Sequence, residues 1–194
     1  LALGNPGPPG WRSDRNSNDH RAGSFHCVAP APVASAELLT SLYGDQHRLC
    51  PTPNSQHSLV LSREREIDLF ELERLCDAVG WSRRPLRRVR KALQHSLLRV
   101  GLWRHDPRMP KLVGFARCTG DGVVEATVWD VAVHPLYQGA GLGKQLMVYV
   151  LDQLRSMEVD RVSLFADPEV VAFYVAQGWE LEPLQRRCAF WYSP

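Results

Sequence analysis

The sequence contains no hydrophobic run long enough to cross a membrane. None of its apolar stretches approaches the roughly 20 residues that a membrane helix needs. Hydrophobic residues make up 44% and charged residues 23% of the 194-residue chain, which are ordinary values for a soluble globular domain with a short tail. The sequence therefore predicts a soluble protein with no membrane partner.

The chain also lacks a surplus of either charge. Its 23 lysine and arginine residues are nearly balanced by 21 aspartate and glutamate residues, which gives a net charge of +2. A nucleic-acid partner is therefore not expected from the global charge. The basic run from Arg83 to Lys91 is interrupted by Leu86 and Val89, a pattern typical of a solvated helix face with a buried side.

Cysteine pairs at short spacing are missing. The chain has an odd number of widely spaced cysteines and no CxxC motif, at Cys27, Cys50, Cys76, Cys118 and Cys188. This arrangement argues against a zinc site and against a disulfide framework. We expect no metal and a reducing compartment.

Residues 1–57 have little periodic apolar pattern. The segment is rich in Pro, Gly, Ser and Asn, a composition that buries too little apolar surface to offset the entropy of ordering. We expect a disordered or weakly ordered extension at 1–57, followed by one domain at 58–194. A transit peptide is an alternative interpretation, but Asp14, Asp19 and Asp45 weaken it because such peptides avoid acidic residues.

Two helices are predicted before the main sheet. Residues 58–61 form a short apolar run typical of an edge strand, and residues 67–79 carry apolar side chains at helical spacing. Gly80 occupies a C-cap position, and Pro85 suits the first turn of a second helix.

The remaining pattern predicts strands and helices in alternation. Strands are expected at 97–103, 111–119 and 124–134, and the Asp121-Gly122 pair marks a hairpin between the last two. A helix, a strand at 161–165, a helix from Asp167-Pro168 to Gly178 and a terminal strand at 189–192 follow. The fold class is therefore α/β, with a mixed α+β sheet that is mostly antiparallel and flanked by helices.

A loop with three glycines joins the strand at 127–133 to the next helix. Such a junction directs several backbone N–H groups to one point, where the positive end of the helix dipole favours an anion, most naturally a phosphate. A dinucleotide fingerprint would need glycine at Lys144, and a P-loop would need glycine at Gln138 and Ser or Thr at Gln145. Both of these alternatives fail, which leaves a different phosphate loop or a plain turn.

The loop resembles that of a known family. Gln138-Gly139-Ala140-Gly141-Leu142-Gly143 resembles the Q/R-x-x-G-x-G/A pyrophosphate motif of the GNAT superfamily of N-acetyltransferases. Val131-Ala132-Val133-His134-Pro135 resembles the strand on which that family holds pantetheine, and residues 172–179 resemble its FYxxxGF ending. The resemblance spans residues 111–193.

A narrower resemblance points to the plastid and cyanobacterial group that includes serotonin N-acetyltransferase-like enzymes. It is carried by residues 75–86, 127–131, 163–167 and 190–192. The resemblance implies transfer of an acetyl group from acetyl-CoA to a primary amine, which is either a serotonin-like arylalkylamine or a protein lysine or N-terminus. It also implies the cyanobacterial-type cytoplasm or the chloroplast stroma.

The resemblance also implies site residues. Acetyl-CoA, used as a co-substrate, would be bound by Val131, Ala132, Val133, Gln138, Gly139, Ala140, Gly141, Leu142, Gly143 and Lys144. Tyr174 lies where the family places a tyrosine beside the CoA sulfur, and a phenol is able to protonate a departing thiolate.

Asp167 is the candidate general base, because the plant-type enzymes have a catalytic aspartate in this segment. Plain structural roles are the alternatives: Asp167 as a helix N-cap and Tyr174 as a core residue. Asp130 and Glu125 are reserve bases. A ping-pong route through Cys118 is conceivable, but no neighbouring pattern marks that thiol as activated, so we predict a buried structural cysteine.

Some questions stay open at the level of sequence. Trp81, Trp103, Trp129 and Trp191 could line an aromatic pocket or fill the core. A GNAT module that senses acetyl-CoA without catalysis and acts by binding a partner protein is the rival function. The oligomeric state is open, with a homodimer as one option.

Overall fold

The structure is a computed structural model that describes residues 46–49 as backbone, and residues 58–104 and 110–185 with their side chains. These residues form one six-stranded sheet and four α-helices. The strands are β1 Gln46–Leu49, β2 Leu59–Ser62, β3 Leu98–Arg104, β4 Lys111–Gly120, β5 Glu125–Val133 and β6 Arg161–Leu164; the helices are α1 Leu69–Ala78, α2 Leu86–Gln94, α3 Leu142–Ser156 and α4 Val171–Val175.

The strands lie in the sheet in the order in which they occur along the chain. All neighbours are antiparallel except β5 and β6, which are parallel and are joined by α3. A parallel pair needs such a crossover, whereas β4 and β5 are joined by a short turn. In that turn one carboxylate oxygen of Asp121 accepts hydrogen bonds from the N–H groups of Val123, Val124 and Glu125. The mixed, mostly antiparallel sheet is confirmed.

The sheet begins earlier than the composition predicts. The backbone of β1 pairs with β2 from Gln46 against Ser62 to Leu49 against Leu59. Ordered structure therefore reaches into the segment expected to be a weakly ordered extension. Because β1 covers it, β2 lies inside the sheet, and the prediction of an edge strand there is wrong. The terminal strand expected at 189–192 lies outside the described residues.

The two predicted helices are confirmed with slightly shorter bounds, and they lie between β2 and β3. Helix α1 begins after Asp68, whose side chain accepts hydrogen bonds from the N–H groups of Phe70 and Glu71 at 2.9 Å. Such an N-cap satisfies donors that the helix itself leaves free. After α1, Gly80 adopts a left-handed conformation with φ of 79°, and Pro85 immediately precedes α2.

The helices cover the sheet on both faces. Helix α3 packs on one face, where its buried residues are Leu142, Leu146, Met147, Tyr149, Val150 and Leu154. Helices α1 and α2 cover the other face through Leu72, Leu75 and Leu93, against Phe115 and Ala132 of the sheet. No helix among the described residues is both long and apolar enough to span a bilayer.

Candidate functional site

Strands β5 and β6 separate part of the way along β5. They pair only from Glu125 against Arg161 to Val128 against Leu164, while β5 continues to Val133. Residues 129–133 therefore have no strand partner on this side among the described residues. Their backbone N–H and C=O groups are available to an extended ligand that pairs like a strand. We call this place the opening between β5 and β6.

A β-bulge lies at the start of this opening. Phe115 is opposite Ala132 and Arg117 is opposite Trp129, so two residues of β5, Asp130 and Val131, face one residue of β4. Asp130 has a φ of 52°, which is uncommon for a residue with a β-carbon. Bulges bend a strand and redirect its side chains, so the bulge lies where β5 leaves β6.

Side chains alternate between the two faces of the sheet along the opening. Val131 and Val133 pack against the core under α3, whereas Ala132 belongs to the core under α1 and α2. The three residues assigned to pantetheine by resemblance therefore border the opening. Their side chains fill the two cores, so only their backbone faces the gap.

The glycine loop follows directly from the end of β5. His134 caps a short turn at 135–137, where its side chain accepts a hydrogen bond from the N–H of Leu136 at 3.3 Å. His134 is thus a turn residue. The side-chain amide of Gln138 donates to the carbonyl of Val133 at 2.8 Å, so Gln138 fixes the loop to the end of the strand.

Two glycines of the loop adopt left-handed conformations. Gly139 has a φ of 78° and Gly141, the N-cap of α3, has a φ of 75°. A residue with a β-carbon would be strained in this conformation. Gly139, Ala140, Gly141 and Lys144 are exposed, and only the side chain of Leu142 is buried, beneath the loop. The loop at the N-terminus of α3 is therefore open to solvent, as an anion site requires.

Helix α4 lies beside this loop. A β-carbon on Gly143 would contact the ring of Phe173 at 3.4 Å. The next residue, Tyr174, is 7% exposed and belongs to the same apolar cluster as Leu142. Its ring meets those of Phe173 and Trp179 edge to face, with centroids 5.0 and 6.0 Å apart. The phenol is thus held in a fixed orientation near the loop.

Asp167 stands just before the turn at 168–170 that leads into α4, the helix that contains Tyr174. Burial, and secondarily the negative charge of Asp167, raise the pKa of the Tyr174 phenol, so the phenol stays protonated at neutral pH. Asp167 occupies an N-cap position before Pro168, but its side chain makes no capping hydrogen bond. Capping therefore does not account for this carboxylate, whose negative charge acts on the phenol of Tyr174.

The reserve bases have ion-pair partners instead. Glu125 pairs with Arg161 at the far end of β5, away from the opening. Asp130 pairs with Arg117 at 2.5 Å and with Arg84 at 3.2 Å. Neither ion pair has a local signal in the sequence. Arg84 is 46 positions from Asp130, and Arg117 reaches Asp130 from the neighbouring strand, 13 positions away.

The thiol of Cys118 is confirmed as a buried structural group. The residue is fully buried within the core under α3, and burial raises its pKa to about 12. A thiol with so high a pKa is almost entirely protonated at neutral pH and is a poor nucleophile. A route through an acetylated Cys118 is therefore disfavoured.

The tryptophans do not share one pocket. Trp103 is buried in the core, while Trp129 packs against Phe165 and donates from Nε1 to the hydroxyl of Thr119 at 2.9 Å. Trp81 borders a small cavity between α1, α2 and the sheet. Trp191 lies outside the described residues.

Residues 67–179 match the acetyltransferase (GNAT) family, and the chain belongs to it. The match includes the opening between β5 and β6, the glycine loop and the segment with Tyr174. The family membership makes the chain an N-acetyltransferase whose fold uses acetyl-CoA.

Known relatives agree with this assignment. The chain is 59% identical over 152 residues to a ycf52-like N-acetyltransferase of Prochlorococcus marinus, a match that covers 78% of this chain and 84% of the relative. It is 39% identical over 120 residues to the chloroplastic serotonin N-acetyltransferase 2 of Oryza sativa subsp. japonica, covering 60% of this chain and 58% of that protein. A solved GNAT-family acetyltransferase from Streptococcus pneumoniae is similar in structure, with a TM-score of 0.58 and 27% identity over 70% of this chain and 98% of that one.

Proposed function

We propose that this chain moves the acetyl group of acetyl-CoA directly to a primary amine at the opening between β5 and β6. The observation that carries the proposal is the juxtaposition of three features. These are backbone at 129–133 with no strand partner on the β6 side among the described residues, an exposed glycine loop before α3, and a buried tyrosine nearby. Together they supply a thioester cradle, a phosphate cradle and a proton donor.

Acetyl-CoA is a substrate that supplies the activated acetyl group. The loop from Gly139 to Lys144 at the N-terminus of α3 suits its pyrophosphate, and the ammonium group of Lys144 adds a positive charge there. The backbone of Val131 to Val133 suits the amides of pantetheine, which would continue the sheet where β6 departs. An N–H of the same strand would stabilise the oxyanion that forms during transfer.

Tyr174 acts as the general acid in this proposal. The amine nitrogen forms a bond to the thioester carbon, the carbon–sulfur bond breaks, and the departing thiolate takes the phenolic proton. The nitrogen of the new amide loses its surplus proton, which returns to the phenolate directly or through water and restores Tyr174. The raised pKa of Tyr174 keeps that proton in place until the thiolate develops. Burial also excludes water, which strengthens the interaction between the phenol and the developing charge.

Asp167 acts as the general base. An alkylamine titrates near about 10.4, so at neutral pH it arrives as a cation and must lose a proton before it attacks. A carboxylate with no capping bond is free to take that proton, directly or through a water molecule. Until Asp167 takes that proton, its negative charge favours the protonated form of Tyr174; once protonated, Asp167 is neutral and no longer opposes donation by the phenol.

The acceptor is a serotonin-like arylalkylamine or a protein lysine or N-terminus. The names of the relatives favour the cyanobacterial cytoplasm or the chloroplast stroma as the compartment. The test is release of free CoA thiol from acetyl-CoA with serotonin, tryptamine, a lysine peptide and a peptide with a free N-terminus. Mass spectrometry of each product locates the added acetyl group.

Turnover with acetylation at an amine nitrogen is the expected result. Tight binding of acetyl-CoA with no turnover on any of these amines would contradict the proposal and would favour a module that senses acetyl-CoA.

A further inference from the structure

Two consecutive residues of β5 contact the same face of the neighbouring strand β4. Nε1 of Trp129 donates to the hydroxyl of Thr119. The carboxylate of Asp130 accepts a hydrogen bond from Nε of Arg117. Arg117 and Thr119 alternate along β4 with Cys118, which belongs to the core under α3, so both lie on the face that α1 and α2 cover. Successive residues of a regular strand point to opposite faces, and the bulge in β5 is the reason for the exception.

The bulge also keeps the core residues of β5 on one face. Val128 lies in the core under α3, and Val131 packs against that same core. In a regular strand two residues three positions apart would point to opposite faces. Asp130, with its φ of 52°, is the extra residue that allows this arrangement. The contact between Asp130 and Arg117 therefore exists only while the bulge exists.

The ion pair between Asp130 and Arg117 is shielded from solvent. The two side chains are 12% and 15% exposed, and their charged atoms are 2.5 Å apart. Arg84, which is 53% exposed, reaches the other oxygen of Asp130 at 3.2 Å. Shielded pairs are screened less by salt and are better defined than exposed ones. Arg117 is therefore the stronger of the two partners.

The surroundings of Arg117 make this pairing selective. Arg99 on β3 lies directly opposite Arg117 in the sheet, and like charges in opposite positions repel each other. Arg99 is exposed and has no ion pair among the described residues. The carboxylate of Asp130 supplies the negative charge that offsets this repulsion. The charges thus hold Arg117 toward β5 and away from β3.

We propose that Arg117 is a positioning residue for acetyl transfer that acts through its ion pair with Asp130. The pair holds the bulge, and the bulge sets where the backbone of Asp130 and Val131 lies at the edge of the opening between β5 and β6. The inference rests on the proposed function, in which this backbone holds the thioester and stabilises the oxyanion. It adds to the reaction a residue that lies one strand away from the opening.

This role predicts an effect on kcat rather than on the binding of acetyl-CoA. Donors aimed at the oxyanion act mainly in the transition state, so a displaced donor lowers the rate of the chemical step. The proposed pyrophosphate site is the glycine loop, which begins beyond the end of β5 and does not include the bulge. The KM for acetyl-CoA should therefore depend little on Arg117.

The first test compares Arg117→Gln with Arg99→Gln. Both changes remove one arginine charge, at directly opposite positions of neighbouring strands. The assay uses whichever of the four acceptors named above reacts fastest. Arg117→Gln should lower kcat by about 10- to 100-fold with little change in the KM for acetyl-CoA, and Arg99→Gln should resemble the wild type. An unchanged kcat in Arg117→Gln, or an equal loss in Arg99→Gln, would overturn the proposal.

A double variant separates positioning from stability. Arg117→Gln alone leaves a mostly buried carboxylate short of a partner and should lower Tm. Adding Asp130→Asn removes that charge, and asparagine tolerates a positive φ. Tm should then recover toward the wild type, while kcat stays as low as in Arg117→Gln. Recovery of kcat together with Tm would make the pair purely structural and would overturn the proposal.

The single variant Asp130→Asn completes the cycle. If the two side chains act as one unit, its loss in kcat should be about as large as that of Arg117→Gln, and the double variant should lose no more than either. A double variant whose loss is the product of the two single losses would mean that Asp130 acts independently of Arg117, and the proposal would fail.

A readout without turnover separates this proposal from the proposed function. Hydrogen exchange of the amides at 129–133, followed by mass spectrometry, should be several-fold faster in Arg117→Gln than in the wild type or Arg99→Gln, because the bulge is held less firmly. Equal exchange in the three proteins would overturn the role of Arg117 alone. Absence of turnover in the wild type with every amine would instead contradict the proposed function.

Discussion

At the scale of single residues, the coupling between Asp167 and Tyr174 has a measurable sign. The charge of Asp167 raises the pKa of the phenol in addition to the effect of burial. Activity should therefore persist to high pH and fall only as Tyr174 loses its proton, above its ordinary value of about 10. Replacing the carboxylate with an amide removes the charge but not the burial.

Asp167→Asn should accordingly move the alkaline limb of the kcat profile to lower pH. The variant should also lose about 10² in kcat, if the carboxylate takes the proton of the amine. The measurement is kcat between pH 6 and roughly 11 for both proteins. An unmoved limb would mean that Tyr174 does not control it, and an undiminished kcat would remove Asp167 from the reaction.

Cys118 provides a second residue-scale prediction. Cys118→Ala should retain kcat within about twofold, because a buried thiol of high pKa takes no part in direct transfer. Cys118→Ser should instead lower the free energy of unfolding by about 1–3 kcal/mol, since a hydroxyl is placed in an apolar core. Chemical denaturation and kcat check both, and an acetyl group found on Cys118 by mass spectrometry would contradict the direct route.

Single residues are predictable where a short local pattern contains them. Asp121 was identified from its turn, which the structure confirms, whereas the roles of Tyr174 and of the loop glycines, assigned from short motifs, stay predictions. Asp130 was named only as a reserve base. Its ion pairs depend on a bulge in β5 and on the segment between α1 and α2 that contains Arg84. Neither feature is encoded in the residues next to Asp130.

At the scale of elements, the glycine loop depends on left-handed backbone. Gly139→Ala and Gly141→Ala leave room for the new β-carbon, since no atom lies within 4 Å of it, but the positive φ is strained by about 1 kcal/mol. The strained loop should turn its N–H groups away from the phosphates. The KM for acetyl-CoA should rise about tenfold in each variant.

Gly80→Ala is the matched control for this loop. Gly80 has a φ of 79° and equally open surroundings, so it should lower Tm by a similar amount while leaving the KM for acetyl-CoA unchanged. Equal KM values for the loop variants and the control would mean that the loop does not bind the pyrophosphate.

Element types were predicted more reliably than element positions. Periodicity and caps located α1, α2 and the β4–β5 hairpin because their signals lie within a few residues of each element. The residue range of β2 was predicted closely, but its place at the edge of the sheet was wrong for a physical reason. Its neighbour β1 lies in a segment rich in polar residues and is held by pairing with β2 rather than by its own composition.

At the scale of the whole molecule, β1 is the first strand of the sheet among the described residues. A chain that starts at Gln46 keeps β1, whereas one that starts at Ser58 leaves the N–H and C=O groups of β2 as an unpaired edge. Unpaired edges promote association with other chains.

Thermal unfolding and light scattering compare the two truncated chains. The chain starting at Ser58 should have a Tm lower by roughly 5 °C or more and should associate more readily. Identical Tm values would mean that β1 contributes nothing to the stability of the sheet.

The central claim is that this GNAT-family chain transfers the acetyl group directly to an amine, with Tyr174 as the proton donor at the opening between β5 and β6. The most direct test is kcat for free-thiol release in the wild type and in Tyr174→Phe, which keeps the buried ring and removes only the hydroxyl. If Tyr174 is the proton donor, kcat falls by about 10²–10⁴, while the KM for acetyl-CoA and Tm stay nearly unchanged. An undiminished kcat in Tyr174→Phe would contradict it.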